Sequence, residues 1–214
     1  MRLAKAVFPT AIIAVVAFGV CGAASAMAQT STALCEVHQE PCEQKNLMTE
    51  THYQLPAGKV YTMKSATMTI LCLEMLYKET VAGLATAPKP LKFTTTKLTF
   101  DKCGTTAAHN NCTVTTLILP EEHFLRTDLN KATGKVLAGR VISECDFAFG
   151  KVVCAYDETG VELELEYNES EEAEGDIESV EEEEVELTEG SELCPKTATL
   201  DFEAVSLQPG YIVT

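Results

Sequence analysis

The most consistent pattern in the chain is the alternation of apolar and polar residues that is typical of half-buried β-strands. Residues 197–206 (TATLDFEAVS) and residues 161–167 (VELELEY) both place apolar side chains on one face and polar side chains on the other. Threonine-rich runs, which also favour strands, occur at 91–100 and 112–119. Further strands are predicted at 59–65, 66–73, 135–143 and 151–156.

Turn-forming residues separate these segments, at positions 56–58, 88–90, 133–134 and 150. The exception is 120–132 (PEEHFLRTDLNKA), where the run that begins at Pro120 predicts a short helical turn. The fold class that follows is all-β: an antiparallel β-sandwich of about 10–12 strands with one short helical turn.

The first 28 residues have the layout of a secretory signal peptide. A basic start and an apolar core at 11–20 precede Ala26-Met27-Ala28, which forms a cleavage site. An uncleaved membrane anchor and lipid attachment at Cys21 are the alternatives. Cleavage after residue 28 predicts a secreted or cell-envelope protein without a membrane span, in which residues 29–214 form a single domain.

Eight cysteines follow the predicted cleavage site, and an exported chain enters an oxidising compartment in which cysteines pair. Zinc binding is the alternative, but no C-x2-C or C-x4-C spacing with histidine partners occurs, so disulfides are favoured. Eight cysteines allow roughly a hundred connectivities, so any pairing is a hypothesis. The simplest pairing is Cys35–Cys42, Cys103–Cys112 and Cys145–Cys154, which leaves Cys72–Cys194. That last bridge is expected to stabilise most, by about 4–5 kcal/mol, because it closes the longest loop.

Three groups of short motifs carry a resemblance to other proteins. They are Ala33-Leu34-Cys35 with Glu40-Pro41-Cys42, then 98–103 (LTFDKC) followed by 112–115 (CTVT), and finally 194–199 (CPKTAT). Together they resemble a group of uncharacterised secreted, cysteine-paired β proteins predicted from actinobacterial genomes. The resemblance implies a bacterial, exported β protein, and it carries over no catalytic residue.

Negative charge is concentrated in one part of the chain. The net charge of the whole sequence is −16, and the segment 157–192 contains 18 acidic residues and no lysine or arginine. The centre of this segment, 168–179, is almost devoid of apolar residues and is interpreted as a flexible loop that folding does not need. Its flanks have a strand pattern, so the prediction is an acidic hairpin at about 157–192.

Three roles are open for the acidic hairpin: a solvated face, a docking surface for a basic partner, or a cation site. Crowded carboxylates are the hard oxygen ligands that calcium prefers, although no EF-hand loop is present. A calcium site would be diffuse and weak. Its candidate ligands are Glu171, Glu172, Glu174, Asp176 and Glu178. Nucleic acid is excluded as a partner, because this charge repels phosphate.

Catalytic motifs are missing from the sequence. There is no G-x-S-x-G, H-E-x-x-H, P-loop or dinucleotide fingerprint, and the histidines at 38, 52, 109 and 123 are solitary. The one group with acid–base potential is Glu121-Glu122-His123, which a surface turn explains equally well.

The expected function is therefore a non-catalytic structural or binding module that is secreted or held in the cell envelope. It would bind an unidentified protein or glycan, and an adhesion-like form would also bind calcium weakly; no other cofactor is expected. The alternative is a secreted hydrolase that has no recognisable motif.

Overall fold

The computed structural model describes residues 31–37, 39–86, 89–106, 111–128, 131–170, 173–208 and 210–213, and these residues are mostly β-strand. The predicted signal peptide lies outside them. The strands are β1 (Ser31–Cys35), β2 (Glu50–Gln54), β3 (Tyr61–Lys64), β4 (Thr69–Val81), β5 (Leu84–Thr86), β6 (Leu91–Thr105), β7 (Cys112–Asp128), β8 (Lys131–Phe147), β9 (Gly150–Asp157), β10 (Glu162–Ser170), β11 (Ala173–Gly190), β12 (Thr197–Ser206) and β13 (Tyr211–Val213).

Ten of these strands form one antiparallel sheet whose pairings close on themselves. Strands β4, β6, β7 and β8 lie side by side in this order. The edge of β8 that faces away from β7 pairs with β10 along its first residues and with β9 along its last residues. Both β9 and β10 pair with β11, which pairs with β12. Strands β2 and β3 then join β12 back to β4. The predicted all-β, antiparallel sandwich is confirmed, and each of its ten strands is hydrogen-bonded to neighbours in one closed series.

A second, three-stranded sheet brings the two ends of the described chain together, in the order β13-β1-β5. The Cys35–Cys42 disulfide closes the loop that follows β1. Leu34 is fully buried and joins the main core, so this small sheet packs against the sandwich.

The core fills the space inside the sandwich and contains large aromatic side chains. Tyr53 stacks on Tyr77 with ring centroids 4.8 Å apart, and Phe93 meets Phe124 edge-on at 4.9 Å. The inward residues of each strand alternate with outward polar ones, which is the pattern that identified the strands in the sequence. Strand β12 has the bounds predicted for it.

The helical turn predicted at 120–132 is wrong. Strand β7 runs through Pro120 to Asp128, and the helical turn in the described residues is a short 3-10 turn at Gln44–Asn46. The register between β7 and β8 shifts on both sides of Pro120, between Thr116 and Glu122. Such bulges let a strand contain a proline, which has no N–H to donate.

The disulfide pairing is only partly as predicted. The Cys35–Cys42 bridge is present, but the pairs Cys103–Cys112, Cys145–Cys154 and Cys72–Cys194 are wrong. The other three bridges are Cys72–Cys103, Cys112–Cys145 and Cys154–Cys194, with sequence separations of 31, 33 and 40.

Strand register explains two of the corrected bridges, while Cys194, the partner of Cys154, lies in the loop between β11 and β12. Cys72 and Cys103 are direct partners in the β4–β6 ladder, and Cys112 and Cys145 are direct partners in the β7–β8 ladder. Their Cα atoms are 3.9 Å and 4.1 Å apart. Each of these four cysteines therefore bonds to the residue opposite it on a long ladder, and nearness in sequence does not decide the partner.

The acidic hairpin is present, but its centre is not a flexible loop. Strands β10 and β11 pair from Glu164↔Ser179 to Ser170↔Ala173. Each strand also pairs with a second neighbour on its other edge. Strand β10 pairs with β8, and β11 pairs with β12 from Ile177 onwards. The loop prediction was wrong because the β10–β11 ladder continues into residues 168–179, where almost no apolar residues indicate a strand.

Candidate functional site

Three glutamates from three different strands meet inside the sandwich. Glu79 of β4, Glu122 of β7 and Glu178 of β11 each contribute one carboxylate oxygen to a group whose members lie within 4.8 Å of one another. The exposed fractions of the three residues are 0%, 4% and 1%. These residues are called the interior glutamate cluster below.

Strand alternation carries each of these carboxylates inward. Glu79 is two residues from buried Tyr77, Glu122 is two residues from buried Phe124, and Glu178 is two residues from buried Val180. Because side chains two apart on a strand share a face, each glutamate occupies a position that would otherwise be apolar.

Hydrogen bonds and burial set the protonation of the cluster. The Thr95 hydroxyl donates to Glu79 Oε1 at 3.0 Å, and the side chains of Glu79 and Glu122 are hydrogen-bonded to each other. Burial raises the pKa of Glu79 to about 7, and burial together with the nearby carboxylates raises the pKa of Glu122 well above its usual range. A hydrogen bond between two carboxyl groups requires a proton, so this pair holds one when no cation is present.

A cavity of about 40 Å³ borders the cluster, and its lining includes Tyr77, Glu122, Glu158 and Glu178. Several buried atoms of this lining have no hydrogen-bond partner among the described residues, including the Tyr61 and Tyr77 hydroxyls, Glu122 Oε2 and Glu158 Oε2. Buried polar atoms are almost always satisfied, and a water needs only about 10–15 Å³ measured in this way. The cavity is therefore large enough for a few water molecules or an ion.

Glu158 is the fourth buried carboxylate and comes from the turn after β9. Its N–H donates to the carbonyl of Gly139 at 3.0 Å, and a Cβ at Gly139 would lie 2.9 Å from its Oε2. Glycine at 139 thus makes room for this side chain. Burial, with a smaller contribution from Asp157, raises the pKa of Glu158 to about 8.

The outer surface has a second acidic feature, a groove of about 580 Å³ between β8, β10 and β11. We call it the acidic groove; its lining includes Leu125, Lys135, Leu137, Glu162, Glu164, Glu181 and Glu183. The ammonium of Lys135 lies 2.7 Å from a carboxylate oxygen of Glu162, so the one lysine in this lining is already paired.

A β-bulge in β11 forms one rim of the acidic groove. The register shifts between Val180 and Glu183, and Glu182 has a left-handed backbone with φ of +49°. The bulge leaves Glu181 and Glu182 exposed side by side. Bulges change the direction of side chains in this way, and here two consecutive carboxylates, those of Glu181 and Glu182, are exposed at the edge of the groove.

The structure describes three of the five predicted calcium ligands, and all three belong to β11. Glu171 and Glu172 lie outside the described residues, and Glu174 and Asp176 belong to β11 where it pairs with β10. Glu178 alone enters the interior glutamate cluster. Its partners Glu79 and Glu122 were missed, although glutamate at an inward position of an alternating strand was a usable signal.

The group Glu121-Glu122-His123 does not act as a unit. Neighbouring side chains on a strand point to opposite faces, so Glu122 is buried in the interior while His123 lines the acidic groove. Of the other histidines, His52 contacts Glu50 at 3.0 Å on the surface, and positions 38 and 109 lie outside the described residues.

Comparison with known proteins adds no relative. No family model matches the chain, and neither the curated proteins nor the solved structures gave a match. The resemblance to secreted actinobacterial proteins stays a prediction. In the part of the chain that the structure describes, no helix is sufficiently long and apolar to cross a membrane.

Proposed function

We propose that the protein is a non-catalytic binding module that works outside the cytoplasm and holds a cationic segment of a partner in its acidic groove. The observation that carries the proposal is the groove itself. Among the described residues, its lining combines four glutamates with a single lysine, which Glu162 already neutralises. Complementary charge favours a partner rich in lysine or arginine.

The groove is suited to long basic side chains. Leu125 and Leu137 are exposed along it, with exposed fractions of 49% and 44%. Lysine and arginine bury their aliphatic stems on apolar surface and keep the charged group in a polar environment. The leucines would take the stems, while Glu164, Glu181 and Glu183 would take the charges.

The location of the strongly shifted carboxyl groups supports a role without catalysis. Glu79, Glu122 and Glu158 are buried beside a cavity of about 40 Å³, which is too small for an organic substrate. A reaction on a larger molecule would need these groups at the surface.

Four disulfides indicate an oxidising environment, in agreement with a location outside the cytoplasm. Secretion through the predicted signal peptide and a bacterial origin are part of the proposal. A closed sandwich with these bridges is a durable scaffold for such an exposed binding surface.

The test is fluorescence anisotropy with a labelled octalysine peptide, and with octaglutamate as the opposite-charge probe. Replacing Glu164, Glu181 and Glu183 by glutamine should weaken octalysine binding about tenfold, since each exposed ion pair contributes about 0.2–1 kcal/mol. Binding should also weaken as salt rises.

A charge-matched control decides whether the groove is responsible. The triple variant Glu36→Gln, Asp101→Asn and Glu192→Gln removes the same charge from exposed positions elsewhere. It should bind octalysine nearly as well as the unchanged protein. Equal weakening by both triple variants would refute a defined groove, since general charge attraction would then explain the binding.

A further inference from the structure

The interior glutamate cluster needs a positive partner if it is ionised. Glu79, Glu122 and Glu158 form no ion pair with any lysine, arginine or histidine among the described residues. Removing one carboxylate from water costs several kcal/mol, and crowding several together costs more. Either protons or a cation must balance this charge.

A second, independent observation indicates a bound cation. Tyr77 is 5% exposed and lines the same cavity as Glu122 and Glu178, and its hydroxyl has no hydrogen-bond partner in the part of the chain that the structure describes. Glu122 Oε2 on this lining and Glu79 Oε2 are also buried without a hydrogen-bond partner. A cation among them would bind several of these oxygen atoms at once, which the single proton shared by Glu79 and Glu122 does not do.

We propose that Glu79, Glu122 and Glu178 bind one calcium ion inside the sandwich. Calcium–oxygen bonds are about 2.3–2.6 Å, so ligands on opposite sides of the ion lie about 4.6–5.2 Å apart. The carboxylate oxygens already lie within 4.8 Å of one another, so little movement is needed. When all three carboxylates are ionised as ligands, the ion reduces the net charge of the site from −3 to −1.

The remaining coordination positions also have candidates. Calcium takes about 6–8 oxygen ligands, and carboxylates often bind it through both oxygens. Glu79 Oε2 and Glu122 Oε2 provide second oxygens, and the Tyr77 hydroxyl is a further neutral ligand. The cavity of about 40 Å³ holds the waters that complete the shell.

The bound ion would act as a structural cross-link. It joins β4, β7 and β11, which occupy different positions around the closed sheet and are far apart in sequence. All three glutamates are at most 4% exposed, so an ion in solution does not contact them directly. It therefore enters during folding or a local opening, and this site is independent of the acidic groove.

The first test is thermal unfolding and titration calorimetry of the oxidised protein after EDTA treatment. Calcium at about a hundred times its Kd should raise the Tm by about 5–10 °C. Calorimetry should give one calcium per chain. No rise and no heat would overturn the proposal, and an equal rise with magnesium would overturn the choice of calcium.

The variant Glu122→Gln gives a signature that surface binding cannot imitate. In EDTA its Tm should stay close to that of the unchanged protein, because glutamine is neutral like the protonated carboxyl group that it replaces. In calcium its Tm should not rise. A calcium-induced rise as large as that of the unchanged protein would place the ion elsewhere.

Two further variants keep the proposal testable if Glu122→Gln does not fold. Tyr77→Phe removes only a hydroxyl that has no hydrogen-bond partner, so it should fold. With Tb³⁺ as the probe, emission excited through tyrosine should fall severalfold in this variant, and unchanged emission would contradict the site. Glu182→Gln, on the exposed bulge, is the matched control and should keep the full calcium response.

Discussion

Glu158 should make the metal-free protein less stable as pH rises. Burial raises the pKa of this carboxyl group from 4.5 to about 8 in the folded state. Between these two values the unfolded chain releases its proton while the folded protein keeps it. Stability contributed by the protonated carboxyl is therefore complete below pH 4.5 and is lost as pH rises towards 8 and above.

The size of the effect follows from the shift. One pKa unit corresponds to about 1.4 kcal/mol, so the change from 4.5 to about 8 gives on the order of 5 kcal/mol. Glutamine at position 158 has nearly the same shape and stays neutral. Its unpaired amide costs some stability at every pH, but it removes this source of pH dependence.

The assay is urea unfolding of the oxidised protein in EDTA, at several values between pH 5 and pH 9. Over this range the unchanged protein should lose several kcal/mol more than Glu158→Gln. Glu192→Gln removes a charge from an exposed residue and should follow the unchanged protein. If Glu158→Gln shows the same pH dependence as the unchanged protein, Glu158 is not a buried neutral acid and the reasoning fails.

Three other predictions test the fold. Replacing Cys112 and Cys145 by alanine should cost about 4 kcal/mol in urea unfolding, given their sequence separation of 33; a loss below 1 kcal/mol would contradict this bridge. Gly134→Ala should cost about 1–3 kcal/mol in the same assay, because its Cβ would lie 2.6 Å from the buried Phe124 ring; an unchanged midpoint would be inconsistent with that contact. Deleting residues 168–179 should abolish cooperative thermal unfolding, since it removes paired parts of β10 and β11; a sharp transition at the original Tm would restore the loop interpretation.

The strands were predictable because alternation depends on local sequence. Residues 197–206 alternate apolar and polar side chains and form β12 with these bounds. The part of β7 after Pro120 was not predictable from periodicity, because the bulges around Pro120 interrupt the alternation of this strand. The alternation of apolar and polar residues identifies a strand, but it does not show that the strand continues beyond a β-bulge.

The interior glutamate cluster was missed for a related reason. Glu79 lies beyond the predicted strand 66–73, Glu122 lay in the predicted helical turn, and Glu178 lay in the predicted loop. In each segment a charged residue occupies an inward position, so the pattern is no longer apolar there. A glutamate at a position where the strand pattern requires an inward, apolar residue is the signal that could have identified this site.

Disulfide partners depend on register, which joins residues far apart in sequence. Cys72 bonds to Cys103 because β4 and β6 place them opposite each other. Short spacing in sequence identified only Cys35–Cys42, where both cysteines flank one loop. Strand register determines two of the other three bridges, and Cys154–Cys194 instead joins β9 to the loop before β12.

The most direct measurement of the central claim is the metal content of the protein purified without chelator and dialysed against calcium-free buffer, determined by mass spectrometry of the elements. We expect close to one calcium per chain in the unchanged protein and close to none when Glu79 and Glu122 are both glutamine. A protein that folds normally and retains no divalent ion would contradict the interior calcium site, and protons would then be the partners of these carboxylates.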